Sequence, residues 1–249
     1  MVSERIILGI VGLSTGLLAG IFAYLLQKVT KGAIKGWLYI SLEGAALFCW
    51  GLFWSLSNFF DYVPGKMLAT GIFVPFIAFF ASIGYTSIAK QFGVNMPKWL
   101  NVRNVVILNV VAYFILGIYN YFFSAYSSLA GEIGTVGLFQ GGLGMLVGSI
   151  SAFYVFKGTR RYIWLSQGLY TIFCTIGLWS LNYTALCCWE QGPLNSSEVC
   201  SSLTYEYLAV FQIPCLASII PITDVFYNFM AIGLIMFAIS LIVFWWRLK

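Results

Sequence analysis

The chain alternates long apolar stretches with short polar connections. A helix needs about 20 residues to cross roughly 30 Å of hydrocarbon, and seven of the apolar stretches approach or exceed that length. They predict transmembrane helices at residues 6–26, 36–60, 67–89, 105–123, 136–156, 162–186 and 225–246. The expected fold is therefore an all-α polytopic membrane protein with seven transmembrane helices and a single transmembrane domain over residues 1–249.

The composition agrees with this pattern and excludes several function classes. Of 249 residues, 61% are hydrophobic and only 8% are charged, whereas charged residues make up about a quarter of a soluble domain. Because the chain contains no histidine, it lacks the ligand or base of most haem, zinc and Ser-His sites. It also has no CxxC, no phosphate-binding glycine loop and no acidic cluster. We expect no enzyme activity, no cofactor and no metal.

The basic residues fall on alternate connections, so alternating helices would collect them on one side. The other side would receive only Arg5 and Lys66, together with the acids of the loops. Loops rich in lysine and arginine stay in the cytoplasm. The sequence therefore predicts an extracellular or lumenal N-terminus and a cytoplasmic C-terminus. The formal charge of +5 belongs to these loops, and we expect the lipid bilayer rather than nucleic acid as its surroundings.

One long connection, residues 187–224, is predicted to lie outside. It contains the four candidate disulfide cysteines of that compartment, which are Cys187, Cys188, Cys200 and Cys215. A disulfide from Cys187 or Cys188 to Cys200 would close the loop in an oxidising compartment. Asn195 begins an Asn-Ser-Ser acceptor for N-glycosylation.

Part of the sequence occurs twice. The segment VGLSTG that begins at Val11 resembles VGLFQG, which begins 125 positions later at Val136. At the same spacing, Phe48, Cys49 and Trp54 recur as Phe173, Cys174 and Trp179. Two explanations remain open, an internal duplication and the shared composition of glycine-rich membrane helices. A duplication predicts two parallel halves, 6–89 and 136–246, joined by the helix at 105–123, with the working site between them.

Glycines are spaced to let helices approach closely. Glycines that recur every three to four residues form one face on each of two predicted helices, which comprise Gly12, Gly16 and Gly20 and then Gly137, Gly141, Gly144 and Gly148. Faces of this kind bring helix backbones together in lipid. We therefore expect the first and fifth helices to pack centrally in their halves.

Glu43 is the one acid placed well inside a predicted span. A buried carboxylate costs several kcal/mol unless it is protonated, paired or hydrated. The predicted helices that carry Asn109 and Gln167 enter the membrane from the same side as that of Glu43, and these residues lie at a similar depth. Tyr85 lies near that depth on a helix that runs the other way, and Trp50 shares a helix face with Glu43. We therefore take Glu43, Gln167, Asn109 and Trp50 as candidate substrate-binding residues.

Three interpretations of Glu43 remain open. It belongs to a solute or ion site, with Gln167 as its neutral counterpart, or it takes part in hydrogen bonds that only hold the helices together. In the third interpretation, its side chain extends toward the membrane interface and meets Lys31 or Lys35.

The plan of three helices, one crossing helix and three more is similar to that of the SWEET and PQ-loop sugar transporters, and its topology is similar to that of microbial rhodopsins. The resemblance is one of architecture. The PQ dipeptide is absent, and residues 225–246 contain no lysine for a retinal Schiff base. Membership of these families is not indicated.

Three functions follow as hypotheses. The first is a membrane carrier for a small polar solute or ion, with its path between the two halves. The alternative is a cofactor-free accessory or structural subunit of a larger membrane complex, which predicts other membrane subunits or self-association as partners. The third is a seven-helix receptor.

Overall fold

The computed structural model describes residues 4–123, 129–188 and 222–248. Its helices are α1 Glu4–Val29, α2 Gly36–Phe59, α3 Val63–Gln91, α4 Val102–Phe123, α5 Leu129–Thr159, α6 Tyr162–Cys188 and α7 Ile222–Leu248. Each corresponds to one predicted span, and most extend beyond it because the polar residues at its ends continue the helical hydrogen bonds. The all-α prediction is confirmed for the described residues.

Among the described residues, six helices are long and apolar enough to cross a membrane, namely all except α6. The sequence of α6 includes Ser166, Gln167, Thr171 and Thr175, which lower its mean hydropathy. Most of these polar side chains are buried against neighbouring helices. The chain thus has the helices of a multi-pass membrane protein, and the seventh span remains a prediction.

The helices form a ring of six with one helix outside it. α1, α2 and α3 pack in sequence order, and so do α5, α6 and α7. The two groups of three meet where α3 packs on α5 and where α1 packs on α7. α4 lies outside the ring and contacts α3 and α5. We refer to α1–α3 and α5–α7 as the two triads.

Glycine brings the backbones of α1 and α2 together. A Cβ atom placed on Gly16 would lie 2.5 Å from the backbone nitrogen of Phe48 and 2.8 Å from the carbonyl oxygen of Gly44. On α5, a Cβ atom on Gly137 would lie 2.5 Å from the Cα atom of Gly71. Backbone atoms cannot rotate away as side chains do. The predicted close packing at these glycines is therefore confirmed. The central position expected for α1 and α5 is wrong, because α2 and α6 are the helices that lie between the other two of their triads.

Consecutive helices of each triad run antiparallel. On α2 and α3, Gly36 lies against the carbonyl of Gly84, and near the other end of the pair the rings of Phe53 and Phe73 stack at 5.2 Å. α3 and α5 run parallel, since the contacts from the start of α3 are made by the start of α5. The ends of α1, α3, α5 and α7 therefore lie together, next to the starts of α2, α4 and α6.

Charge is segregated along the bundle. All described lysines and arginines other than Arg5 and Lys66 lie at the end where α1, α3, α5 and α7 finish. We name it the basic end. Among the described acids, only Glu43 lies away from the opposite end. This is the segregation that the positive-inside rule uses, and the cytoplasmic placement of the basic end stays a prediction.

Lys66 and Asp61 form an ion pair at the opposite end, with 2.8 Å between Nζ and Oδ1. The hydrogen bond and charge of Lys66 lower the pKa of the Asp61 carboxyl from its ordinary value. The pair therefore contributes stability above the ordinary pKa of aspartate, and that contribution is lost as the pH falls through the lowered value. Asp61 is exposed, so solvent screens the effect.

Some predictions fall outside the described residues. Asn195, Cys200 and Cys215 lie in the undescribed segment, so the glycosylation and disulfide predictions lie outside the described structure. Cys187 and Cys188 are the last two residues of α6. The division into halves at 6–89 and 136–246 likewise stays a prediction.

Replacing Gly16 by alanine tests the close contact of α1 and α2. The added methyl meets backbone atoms of α2, so we expect the free energy of unfolding to fall by about 1–3 kcal/mol, as overpacking usually costs. The measurement is reversible unfolding of the purified protein in mixed micelles.

Gly117→Ala on α4 is the matched control, because a Cβ atom there has nothing within 4 Å. Alanine is the better helix former by about 1 kcal/mol, so this variant should be as stable as the native chain or slightly more stable. Equal stability of the two variants would contradict the packing described for α1 and α2.

Candidate functional site

Glu43 lies in the interior of the bundle. Its side chain is 0% exposed, about 10 Å along α2 from the first residue of that helix at 1.5 Å per residue. Oε1 accepts a hydrogen bond from the hydroxyl of Tyr170 at 2.8 Å. Oε2 is buried and has no hydrogen-bond partner among the described residues. One carboxylate oxygen is therefore an unused acceptor.

This position excludes one of the three interpretations of Glu43. Lys31 and Lys35 are exposed, and the one ion pair found within the described ranges joins Lys66 and Asp61. The third interpretation, in which Glu43 meets Lys31 or Lys35 at the interface, is wrong. The physical reason is the tyrosine on α6, which gives the carboxyl a partner inside the bundle.

Tyr170 is held by a neighbouring ring. Its aromatic ring stacks on Phe237 of α7, with 4.5 Å between centroids and 12° between planes. Both side chains are fully buried. Stacking fixes the ring plane, so the hydroxyl points at Glu43 without the freedom of an exposed tyrosine.

Gln167 lies one turn before Tyr170 on the same face of α6. Its Oε1 accepts a hydrogen bond from the Tyr85 hydroxyl of α3 at 2.5 Å. Its Nε2 donates to the hydroxyl of Ser240 and, at 3.4 Å, to the carbonyl of Phe237. Every polar atom of this amide is used. The structure thus brings Gln167 and Glu43 together through α6.

We define the central polar group as the five residues Glu43, Tyr85, Gln167, Tyr170 and Ser240. Its hydrogen bonds from Tyr170 to Glu43 and from Tyr85 to Gln167 each join one triad to the other. The sequence had indicated Glu43, Gln167 and Tyr85, but it missed Tyr170 and Ser240. A three-residue spacing on one helix face links Tyr170 to Gln167 and was the available signal.

Asn109 belongs to a different cluster. Its Nδ2 donates to Ser82 at 3.1 Å and to the carbonyl of Val105 at 2.8 Å, and its Oδ1 accepts from Gln140 at 2.8 Å. These bonds tie α4 to α3 and α5 and use the whole amide. The structure therefore does not bring Asn109 into the central polar group, and its contacts are those of a helix-packing residue.

Trp50 lies on the side of the central polar group away from the basic end. Its ring packs against Gly12 and stacks on Trp54 at 5.5 Å. It also borders an enclosed void of about 10 Å³, next to Tyr170 and Cys174. A void of this size has room for about one water molecule. The indole nitrogen is buried without a hydrogen-bond partner among the described side chains and backbone.

A second aromatic layer lies toward the basic end. Trp37 of α2 stacks on Trp164 of α6 at 5.4 Å, and Phe244 of α7 lies 5.8 Å from Trp37. Both tryptophans are buried. The central polar group is therefore enclosed by tryptophans on both sides along the bundle.

This enclosure limits what the site can do. An ionised carboxylate with one hydrogen bond is costly in apolar surroundings. Two changes remove that cost, the binding of a proton and the binding of a cation or hydrogen-bond donor at Oε2. Among the described residues, no cluster of three or more histidine, cysteine or acidic side chains is placed to hold a metal ion.

Tyr85→Phe tests the hydrogen bond across the triads. The variant leaves Oε1 of Gln167 buried without its donor, so we expect the free energy of unfolding to fall by about 1–3 kcal/mol. Tyr162→Phe is the control, since that side chain is 76% exposed. Unfolding in mixed micelles measures both.

A second variant separates this bond from simple packing. Combining Tyr85→Phe with Gln167→Leu removes both partners, so the double variant should lose less stability than the sum of the single variants. Additive losses would contradict the hydrogen bond.

Comparison with known proteins yields no family. No protein-family model matches the chain, and no curated protein or solved structure matches it either. A proposal about function therefore depends on the geometry of the site.

Proposed function

We propose that this protein is an integral membrane carrier for a small polar solute or ion, with its path between the two triads. The observation that carries the proposal is the buried carboxyl of Glu43, which has one oxygen bonded to Tyr170 across the triads and the other without a partner among the described residues. Ionisable groups inside a membrane usually mark solute or proton pathways.

Glu43 supplies the exchangeable contact in this proposal. A proton on the carboxyl, or a cation or donor group of a solute at Oε2, offsets the cost of burial. Exchange of one for the other would couple solute binding to protonation. Gln167 is the neutral counterpart of Glu43 in the other triad, and its fully bonded amide positions Tyr85 and Ser240 beside the path.

The location of the site supports a carrier rather than a fixed pore. In many secondary transporters the site lies between two structural units near the middle of the membrane, and rocking of the units exposes it to each side in turn. Here the site lies between the triads, with aromatic layers on both sides. This arrangement corresponds to an occluded state, in which both aromatic layers close the site. Opening of one layer at a time would expose the site to one side of the membrane and then to the other.

The orientation belongs to the proposal as well. The basic end is the cytoplasmic end by the positive-inside rule, so the Trp37–Trp164 layer faces the cytoplasm. The layer of Trp50 and Trp54 then faces the extracellular or lumenal side. The parallel repeat of 6–89 and 136–246 fits this plan, because each triad starts at the same end.

Carbodiimide labelling tests whether Glu43 exchanges protons. Dicyclohexylcarbodiimide reacts with protonated carboxyls in apolar surroundings, so we expect mass spectrometry to find the label on Glu43 and its yield to fall as the pH rises. In liposomes under an imposed potential, the native chain should take up protons, and Glu43→Gln should reduce uptake to background. Glutamine keeps the shape and the acceptor for Tyr170, so the fold should survive.

Asp61→Asn is the control for removal of an acid, because Asp61 is exposed at the end of the bundle. It should keep both the label on Glu43 and the proton uptake. Normal uptake by Glu43→Gln would show that the site is wrongly assigned. Absence of label and uptake in the native chain would identify Glu43 as a packing residue.

An accessory or structural subunit is the second candidate, and the exposure of α4 favours it. Only 11% of the residues in its apolar stretch are buried, compared with 33–72% in the other candidate spans. Phe114, Ile115 and Ile118 are each more than half exposed. Lipid covers such a face in a carrier, whereas a neighbouring subunit would cover it in a complex.

Extraction of the native protein in mild detergent distinguishes the two candidates. A carrier should be recovered alone or as a homo-oligomer, and a subunit should be recovered with other membrane proteins in fixed stoichiometry, by native mass measurement. In the second case, Phe114→Ala with Ile118→Ala should release the partners. Ile10→Ala with Ile21→Ala changes exposed apolar residues of α1 and should retain them. No contact within the described ranges favours the receptor hypothesis over these two.

A further inference from the structure

A groove opens on the surface of the bundle between α6 and α7. Its volume is about 840 Å³. Its walls are mainly apolar, with Ile163 on α6 and Ile235, Ile239 and Val243 on α7. Two serines, Ser166 and Ser240, also line it. The groove is separate from the enclosed void beside Trp50. It is also open to the surroundings of the protein, which for these helices means lipid.

Three arginines form the mouth of the groove at the basic end. Arg160 and Arg161 make up the turn between α5 and α6, and Arg247 lies in the last turn of α7. All three are exposed, and none takes part in an ion pair with another described residue. The guanidinium of Arg161 lies over the ring of Phe244 at 5.9 Å. No described acid lies at this end, so the positive charge of the mouth is uncompensated.

The length of the groove matches one leaflet of a bilayer. From Ile235 to Arg247, α7 rises about 18 Å at 1.5 Å per residue, and half of the hydrocarbon core is roughly 15 Å. A charged group at the arginines would therefore lie at the depth of lipid headgroups. The apolar wall below would run alongside an acyl chain.

We propose that this groove binds an anionic phospholipid, with the phosphate at Arg160, Arg161 and Arg247 and an acyl chain along the α6–α7 wall. Arginine suits this role because its planar guanidinium forms paired hydrogen bonds with phosphate. The apolar wall favours a lipid over free phosphate, because free phosphate has no acyl chain that could contact the wall. The proposal does not depend on carrier activity, since it uses neither Glu43 nor transport.

Occupancy of the groove also reaches the central polar group. Ser240 borders the groove and accepts a hydrogen bond from Gln167, which in turn accepts one from Tyr85. An acyl chain in the groove would therefore contact a member of that group from the lipid side.

Lipid binding is measured by native mass spectrometry of the purified chain in micelles that contain either dioleoylphosphatidylglycerol or dioleoylphosphatidylcholine. We expect the native chain to retain the anionic lipid in preference to the zwitterionic one. The combined variant Arg160→Gly, Arg161→Gln and Arg247→Gln should weaken its affinity at least about tenfold, because each basic residue adds to attraction for anionic lipid. Glycine suits position 160, where φ is 56°.

The combined variant Lys90→Gln, Lys98→Gln and Arg103→Gln is the control. It removes the same formal charge from the same end, but from the last turn of α3, the connection that follows and the first turn of α4, away from the groove. It should keep the native affinity. An equal loss in both variants would show a diffuse attraction to the basic end and overturn the groove.

A steric variant tests the groove without any change in charge. Ile239 is 54% exposed in the wall, so Ile239→Trp should fill the groove, keep the fold and weaken the anionic lipid about as strongly as loss of the arginines. Unchanged binding by this variant would overturn the proposal. So would competition by inorganic phosphate at equal concentration, which would identify a phosphate site without a lipid chain.

Discussion

In hydrocarbon, a polar group finds its partners only within the protein, and this constraint shapes the whole bundle. Helix formation pairs the backbone N–H and C=O groups with one another. Glycines on α1, α2, α3 and α5 then let those helices approach until their backbones are in contact. Side chains follow the same rule. The amides of Asn109 and Gln167 are fully bonded, each across two neighbouring helices. Several buried polar atoms have no partner among the described residues, and the Glu43 oxygen is the one among them that belongs to an ionisable group.

An unpaired acid inside the bundle differs from an unpaired amide or hydroxyl, because only the acid also pays for burying a charge. The Asn109 cluster holds α4 in place, and although Gln140 Oε1 has no partner among the described residues, the cluster contains no acid. The central polar group uses similar side chains, but it contains an acid and lies where the triads meet. A structural role explains its hydrogen bonds. It does not explain why an acid is kept where glutamine, as at Gln167, would satisfy Tyr170 at lower cost.

Much of the fold follows from the sequence because membrane helices depend on local properties. Apolar length located every described helix, and glycine spacing indicated how α1 and α5 pack. Burial of Glu43 beside Tyr170 could not be predicted, because helix rotation and the choice of neighbours are set by packing in three dimensions. The pairing of Asn109 with Gln140 rather than with Gln167 has the same cause. Residues at equal depth need not face the same interior.

The placement of α4 has a consequence for how the ring could open. Asn109 ties α4 to Ser82 of α3 and to Gln140 of α5, across the side where Gly137 packs on Gly71. α4 therefore holds α3 and α5 together where the two triads meet. Within the described ranges, no further helix covers the opposite contact, between α1 and α7, where the rings of Phe22 and Trp245 meet edge to face at 5.3 Å. In the proposed carrier, the triads would therefore separate first between α1 and α7 and pivot about the contact of α3 with α5.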